Sequence, residues 1–177
     1  MKRLFAFLIL VGAVPAGQAA EIVIDFEQAE IGKPLPKWTE KGVVFNLAGP
    51  PTQSKATGRI MFFPHLATNR KGILNAMATE QAIPVQATFL DSASAVTLVL
   101  WGSTGCPALL EALDKNGEVV DKASVAAVPG RKAPGDAIPF IQLTVKAPAI
   151  AAIRFSGPRN GEFLAADEIR FTTVDEK

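Results

Sequence analysis

Two stretches decide the fold: Ile22-Val23-Ile24-Asp25-Phe26-Glu27 near the start of the chain, and Ala165-Ala166-Asp167-Glu168-Ile169-Arg170-Phe171 near its end. Each reads as a short strand carrying acidic residues, and the chain between them reads as strands joined by Gly/Pro turns. A chain that opens and closes this way predicts an all-β fold, an antiparallel β-sandwich whose N- and C-terminal strands are adjacent.

Working inward, the candidate strands are Ile22–Glu27, Val43–Leu47, Arg59–Phe63, Val85–Phe89, Val96–Trp101, Ala108–Asp114, Glu118–Ala126, Phe140–Lys146, Ile150–Ser156 and Phe163–Phe171. The period-2 signal is clearest where Ile141, Leu143 and Val145 alternate with Gln142, Thr144 and Lys146. Val96–Trp101 is apolar on nearly both faces, as a central strand should be. Asp114-Lys115-Asn116-Gly117 predicts a tight hairpin, because Asn-Gly supplies the positive φ angles that such a turn requires. The parity of Leu109 and Leu113 predicts that both face the core. Helix-forming composition is confined to Ile73–Ala82, too short to anchor an α/β fold. Val128–Pro139 is the longest irregular stretch, read either as a binding loop or as a solvated insertion.

Residues 1–19 read as an export signal. Lys2-Arg3 is a positive leader, Leu4–Val14 is an eleven-residue apolar run, Pro15 breaks it, and Gly17-Gln18-Ala19 supplies small residues for cleavage. The run falls short of the roughly 20 residues that span a bilayer. The expected mature chain is a single β-sandwich domain, residues 20–177, that is secreted or periplasmic, with no membrane insertion after cleavage. Loss of Lys2 and Arg3 moves the net charge from +1 to about −1, with no basic block to attract nucleic acid. Cys106 is the single cysteine of the sequence, which excludes an internal disulfide. Nothing cationic flanks it, so a structural role is favoured over a reactive thiol.

Several motifs resemble those of secreted bacterial jelly-roll modules. They are Asp25-Phe26-Glu27, Gly32, Leu35-Pro36, Gly42-Val43-Val44-Phe45, Leu113–Val120 and Ile153-Arg154-Phe155-Ser156-Gly157 with Asp167–Phe171. The resemblance extends to galactose-binding-like and carbohydrate-binding modules, and it implies a jelly roll with carbohydrate as the favoured ligand class. In such modules an N-terminal acid and a C-terminal Asp often hold a structural Ca²⁺.

The residues themselves allow three chemistries. Asp167 falls in an otherwise apolar row unless a bulge resets the register, and a buried carboxylate needs a partner. Asp25 and Glu27, on one face of the first strand, would complete a Ca²⁺ site with it; the alternatives are a salt bridge to Arg154 or Arg59, or a turn cap. The dense Asp/Asn/Gly loop of an EF-hand is absent. For sugar binding, Trp101, Trp38 and His65 are the candidate contacts; the alternative reading is core packing for either Trp and plain exposure on a loop for His65. A nucleophile-and-His enzyme or a His-based zinc site lacks residues, since the sequence has one His and one Cys. Carboxylate-pair glycoside hydrolysis has Asp25, Glu27 and Asp167 nominally available. The leading expectation is a secreted, non-catalytic carbohydrate-recognition module. The alternative is a structural or adhesive cell-surface module, and the glycosidase ranks third. N-terminal sequencing of the exported protein is expected to start at Ala20; a mature product that retains residues 1–19 would overturn the signal assignment.

Overall fold

The computed structural model describes residues 20–33, 35–48, 60–64, 71–74, 84–137, 139–156 and 164–174. The export signal, His65, Arg59, the segment after Leu74 and the turn before the last strand lie outside them. Ten strands form: β1 (Glu21–Ile24), β2 (Trp38–Glu40), β3 (Val43–Leu47), β4 (Met61–Pro64), β5 (Lys71–Leu74), β6 (Val85–Gly102), β7 (Ala108–Leu113), β8 (Val119–Val125), β9 (Ile141–Ser156) and β10 (Leu164–Thr173). Their order is β4-β5-β10-β6-β9-β7-β8, with β1 on β10 and β3 linking β2 to β6, all antiparallel.

β6 and β9 are each one strand where the sequence suggests two. Val85–Thr88 of β6 pairs with Phe155–Ala152 of β9, and Ala95–Leu100 pairs with Lys146–Ile141, with register shifts between the two blocks. The inward set switches parity at the same place, from Val85, Ala87 and Phe89 to Val96, Leu98 and Leu100. Both strands therefore bend and serve both layers of the sandwich. The first layer holds β2, β3, the N-terminal half of β6, the C-terminal half of β9, β7 and β8. The second holds β1, β4, β5, β10 and the remaining halves of β6 and β9. The core lies between them, with Phe45, Leu98, Leu110, Ile153, Phe155 and Ile169 fully buried.

The expected adjacency of the two ends is present: Ile22 lies opposite Phe171 and Ile24 opposite Ile169. In β10 the bulge does occur. Ala166 faces Leu100 and Glu168 faces Val99, so Asp167 is the inserted residue. Strict alternation would put Leu164 and Ala166 on one face and Ile169 and Phe171 on the other. The extra residue turns all four into the core.

β1 ends earlier than its sequence suggests. Phe26 adopts φ 59°, left-handed for a bulky side chain, and is fully buried. Its ring lies 5.6 Å from those of Trp38 and Phe45 and 5.9 Å from that of Phe62. Asp25 and Glu27 consequently lie in a turn and not on one strand face. β2 and β5, the latter taking Ile73 and Leu74 from the stretch of helical composition, are the two strands without a sequence counterpart.

The Asn116-Gly117 hairpin forms between β7 and β8. Gly117 has φ 82°, and Asp114 Oδ1 accepts the N–H groups of Asn116 at 2.8 Å and Glu118 at 2.9 Å. Those donors, that of Glu118 foremost, hold the Asp114 carboxyl below its usual range. The parity expected for β7 holds in part: Leu113 is buried at 4% exposure, but Leu110 and Ala112 join the core while Leu109, half-buried, shares the opposite face with Glu111. Leu110→Ala is therefore expected to cost roughly 2–5 kcal/mol in a denaturant melt, and Leu109→Ala clearly less. Gly117→Ala should cost about 1 kcal/mol from backbone strain alone, since a Cβ there meets nothing within 4 Å. The Asp114 contribution is present at neutral pH and is lost as pH falls through the depressed carboxyl pKa.

Candidate functional site

The two indoles expected to carry sugar are both packed. Trp38 in β2 lies opposite Phe45, with ring centroids 5.4 Å apart, and 4.9 Å from Phe62 at a steep angle. It closes the aromatic cluster around Phe26 and is not a free platform. Trp101 is 4% exposed and lies opposite Ala165, on the face of the second layer that points away from the core. A Cβ placed on Gly72 of β5 would stand 3.5 Å from Trp101 Nε1 and 3.0 Å from the Ala166 carbonyl oxygen. The indole thus crosses β10 over the small Ala165 and ends against β5, where only glycine leaves room. Trp101 is therefore packed within the protein, with little of its ring open to solvent. His65 lies outside the described residues.

The three carboxylates expected around Ca²⁺ are placed apart in role. Asp25 Oδ1 accepts the Glu27 N–H at 3.2 Å. Asp25 also neighbours Glu40, whose carboxyl rises above its usual range through burial, against the lowering effect of Lys41, with the Asp25 charge adding to the rise. Glu27 Oε1 accepts the Lys71 N–H at 3.2 Å, and the Glu27 carbonyl accepts Lys71 Nζ at 2.7 Å, which ties the turn after β1 to β5. Asp167 is 2% exposed in the β10 bulge, and its neighbour Glu168 is bridged to Arg170. Among the described residues no three of His, Cys, Asp and Glu form a metal-holding group. Among the described residues the structure thus does not bring Asp25, Glu27 and Asp167 together as one ligand set. The salt-bridge alternative through Arg154 is also corrected, because Arg154 pairs with Glu111 on the other layer.

That pair belongs to an arrangement not singled out in the sequence. On the outer face of the first layer, Asn46 lies opposite Gln86, Gln86 opposite Arg154, Arg154 opposite Glu111, and Glu111 opposite Lys122. One polar side chain from each of β3, β6, β9, β7 and β8 thus forms a single row across five strands. At 4.7–4.9 Å per strand the row is about 19 Å long. Arg154 donates through Nε to Glu111 Oε2 at 2.9 Å, and its terminal nitrogen approaches the same oxygen at 2.9 Å. The Gln86 amide donates to Thr88 Oγ1 at 3.4 Å, and that of Asn46 to the Leu47 carbonyl at 3.4 Å. Arg154 and Glu111 are 33% and 21% exposed, half-sunk in the face and still open to solvent. Such a row holds amide, guanidinium, carboxylate and ammonium groups in register along one open face. Strand parity carried its signal, since each member alternates with buried residues such as Phe45, Ala87, Ile153 and Leu110. Cross-strand register, which no single strand contains, is what aligns them.

No protein-family model matches the sequence, and no curated protein matches it. Similarity is found among solved structures. An arabinose-bound GH51 α-L-arabinofuranosidase aligns with TM-score 0.51 at 12% identity, over 89% of this chain and 27% of that one. The present chain thus spans about a quarter of that enzyme's length. A DUF4465 family protein from Bacteroides caccae aligns with TM-score 0.50 at 12% identity, over 88% of this chain and 100% of that one. A family 29 carbohydrate-binding module complexed with mannohexaose aligns with TM-score 0.49 at 15% identity, over 90% and 99% of the two chains. What is shared is the jelly-roll sandwich fold.

The carboxylate placements generate a direct test. Melting temperatures in Ca²⁺ and in EDTA are expected to coincide. A rise with Ca²⁺ that Asp167→Asn abolishes would restore the metal clamp between the first and last strands.

Proposed function

We propose that this chain is an exported, non-catalytic module that recognises carbohydrate through the outer face of its first layer. The observation that carries the reading is the in-register row Asn46–Gln86–Arg154–Glu111–Lys122. Sugars are recognised by planar polar groups held in fixed geometry, and side chains on adjacent strands are held more rigidly than side chains on loops. The fold agrees with this reading, being shared with part of an arabinose-bound glycosidase. The carboxylates nominally available for hydrolysis are occupied elsewhere: Asp25 and Glu27 hold a turn, and Asp167 is buried.

A second reading, a structural or adhesive surface module with a protein partner, draws on the exposed apolar side chains Leu90 (71%), Val119 (46%) and Val120 (44%). A glycan array separates the two readings. Binding by the purified protein supports recognition of carbohydrate. Asn46→Ala and Gln86→Ala are each expected to weaken it about fivefold, the equivalent of about 1 kcal/mol for one hydrogen bond, with the melting temperature unchanged. If both variants bind as the parent does, while substitutions at Thr97 and Thr144 on the second layer abolish binding, the site lies on the wrong face.

A further inference from the structure

We infer that the ligand of this row is an anionic polysaccharide bearing carboxylate groups, a uronate chain. The inference rests on the carbohydrate-binding reading and concerns which sugars the same face selects. The hydrogen-bonding inventory is one-sided. Arg154 spends part of its five-donor fork on one oxygen of Glu111 and keeps further N–H groups for a ligand. Asn46 and Gln86 each keep one amide N–H beyond the one donated within the protein, and the exposed Lys122 ends the row with an ammonium group. Against these donors stand two amide oxygens and the remaining oxygen of Glu111. The row also carries two cations to one carboxylate. A ligand that satisfies it must supply acceptors and negative charge.

The apolar side of the surface points the same way. Neutral sugars draw much of their binding from stacking on flat aromatic faces. Among the described residues, no outward side chain of the first layer is aromatic: Phe45, Phe89 and Phe155 all turn into the core, and Trp38 is packed on Phe45 and Phe62. Without a stacking surface, affinity has to come from charge-assisted hydrogen bonds, the stronger class, for which the guanidinium fork matches a carboxylate in shape. Glu111 contributes by holding Arg154 upright in the row, so the fork is ordered before the ligand arrives. The row crosses five strands, which suits an extended polymer in which acidic groups recur along the chain.

The experiment titrates the purified protein with polygalacturonate, with dextran sulfate and with a neutral galactomannan, at low and at high salt. Polygalacturonate is expected to bind tightest, with affinity falling about tenfold or more as salt screens the exposed charges. Lys122→Gln, at an exposed position where folding is not at stake, should weaken polygalacturonate binding several-fold, and Lys122→Arg should retain it. Galactomannan bound as well as polygalacturonate, with no salt effect, would overturn the uronate inference and leave the carbohydrate reading standing. Dextran sulfate bound equally to polygalacturonate would also overturn it, reducing the row to a general anion site. Failure of all three ligands in this titration, together with a blank glycan array, would overturn the carbohydrate reading itself.

Discussion

The pairing of β6 with β9 is the constraint on which the rest of the molecule depends. Eleven residue pairs join these strands, from Val85–Phe155 at one end to Leu100–Ile141 at the other. Every backbone N–H and C=O buried in a sandwich needs a ladder partner, and these two strands supply partners to both layers. β3 and β7 build outward from one half of the pair, β10 from the other half. The cost of passing between layers is concentrated in a short bend. Pro148, which has no N–H to leave unsatisfied, lies there in β9, where the regular register is broken. Asp121, on the edge strand β8, covers another weak point by accepting the Lys146 N–H at 2.7 Å.

A second determinant is the aromatic cluster of Phe26, Trp38, Phe45 and Phe62. Holding Phe26 at positive φ costs about 1–3 kcal/mol. The cluster makes five ring contacts between 4.9 and 5.9 Å. Aromatic pairs contribute about 0.5–1.5 kcal/mol each beyond the area they bury. The three contacts made by Phe26 itself, with Trp38, Phe45 and Phe62, offset the strain together with its full burial, and the chain turns after Ile24. That turn directs Asp25 and Glu27 to backbone N–H groups and removes them from the strand face where they would meet Asp167. The same cluster consumes Trp38. Packing in the core thus places Asp25 and Glu27 in a turn and Trp38 within the aromatic cluster.

The row proposed to bind ligand is made of ordinary residues. Apart from Arg154, which lies in the Ile153–Gly157 motif, none of Asn46, Gln86, Glu111 and Lys122 belongs to a recognisable motif, and the five are spread over 109 positions of the chain. Their chemistry is collective: an ion pair fixed at the centre, amides on one side and an ammonium on the other. The opposite layer differs in kind. There Thr97 and Thr144 hydrogen-bond to each other at 2.9 Å, Glu168 bridges to Arg170, and the sheet face near Trp101 is closed. Polar groups there are largely satisfied by one another, whereas the row keeps donors to spare.

The sequence by itself determined the all-β class, the positions of most strands, the adjacency of the two ends and the Asn116-Gly117 hairpin. These follow from alternation and turn chemistry, which act over a few residues. β2 was illegible because Trp38–Glu40 is only three residues long and its turn, Lys41-Gly42, has positive φ at both positions without the usual Asn or Asp. β5 was illegible because Gly72 and two apolar residues carry no strand signature by themselves, and only the pairing with β10 makes them a strand. Leu113 is buried as its parity suggests, but Leu109 misled because apolar residues occur on both faces of β7, and only the facing layer selects Leu110. Tertiary structure alone decided the bulge at Asp167, the left-handed Phe26, the burial of Trp101 and the alignment of the five-strand row. Each depends on register between strands far apart in sequence, and register is set by which side chains the whole core can bury together.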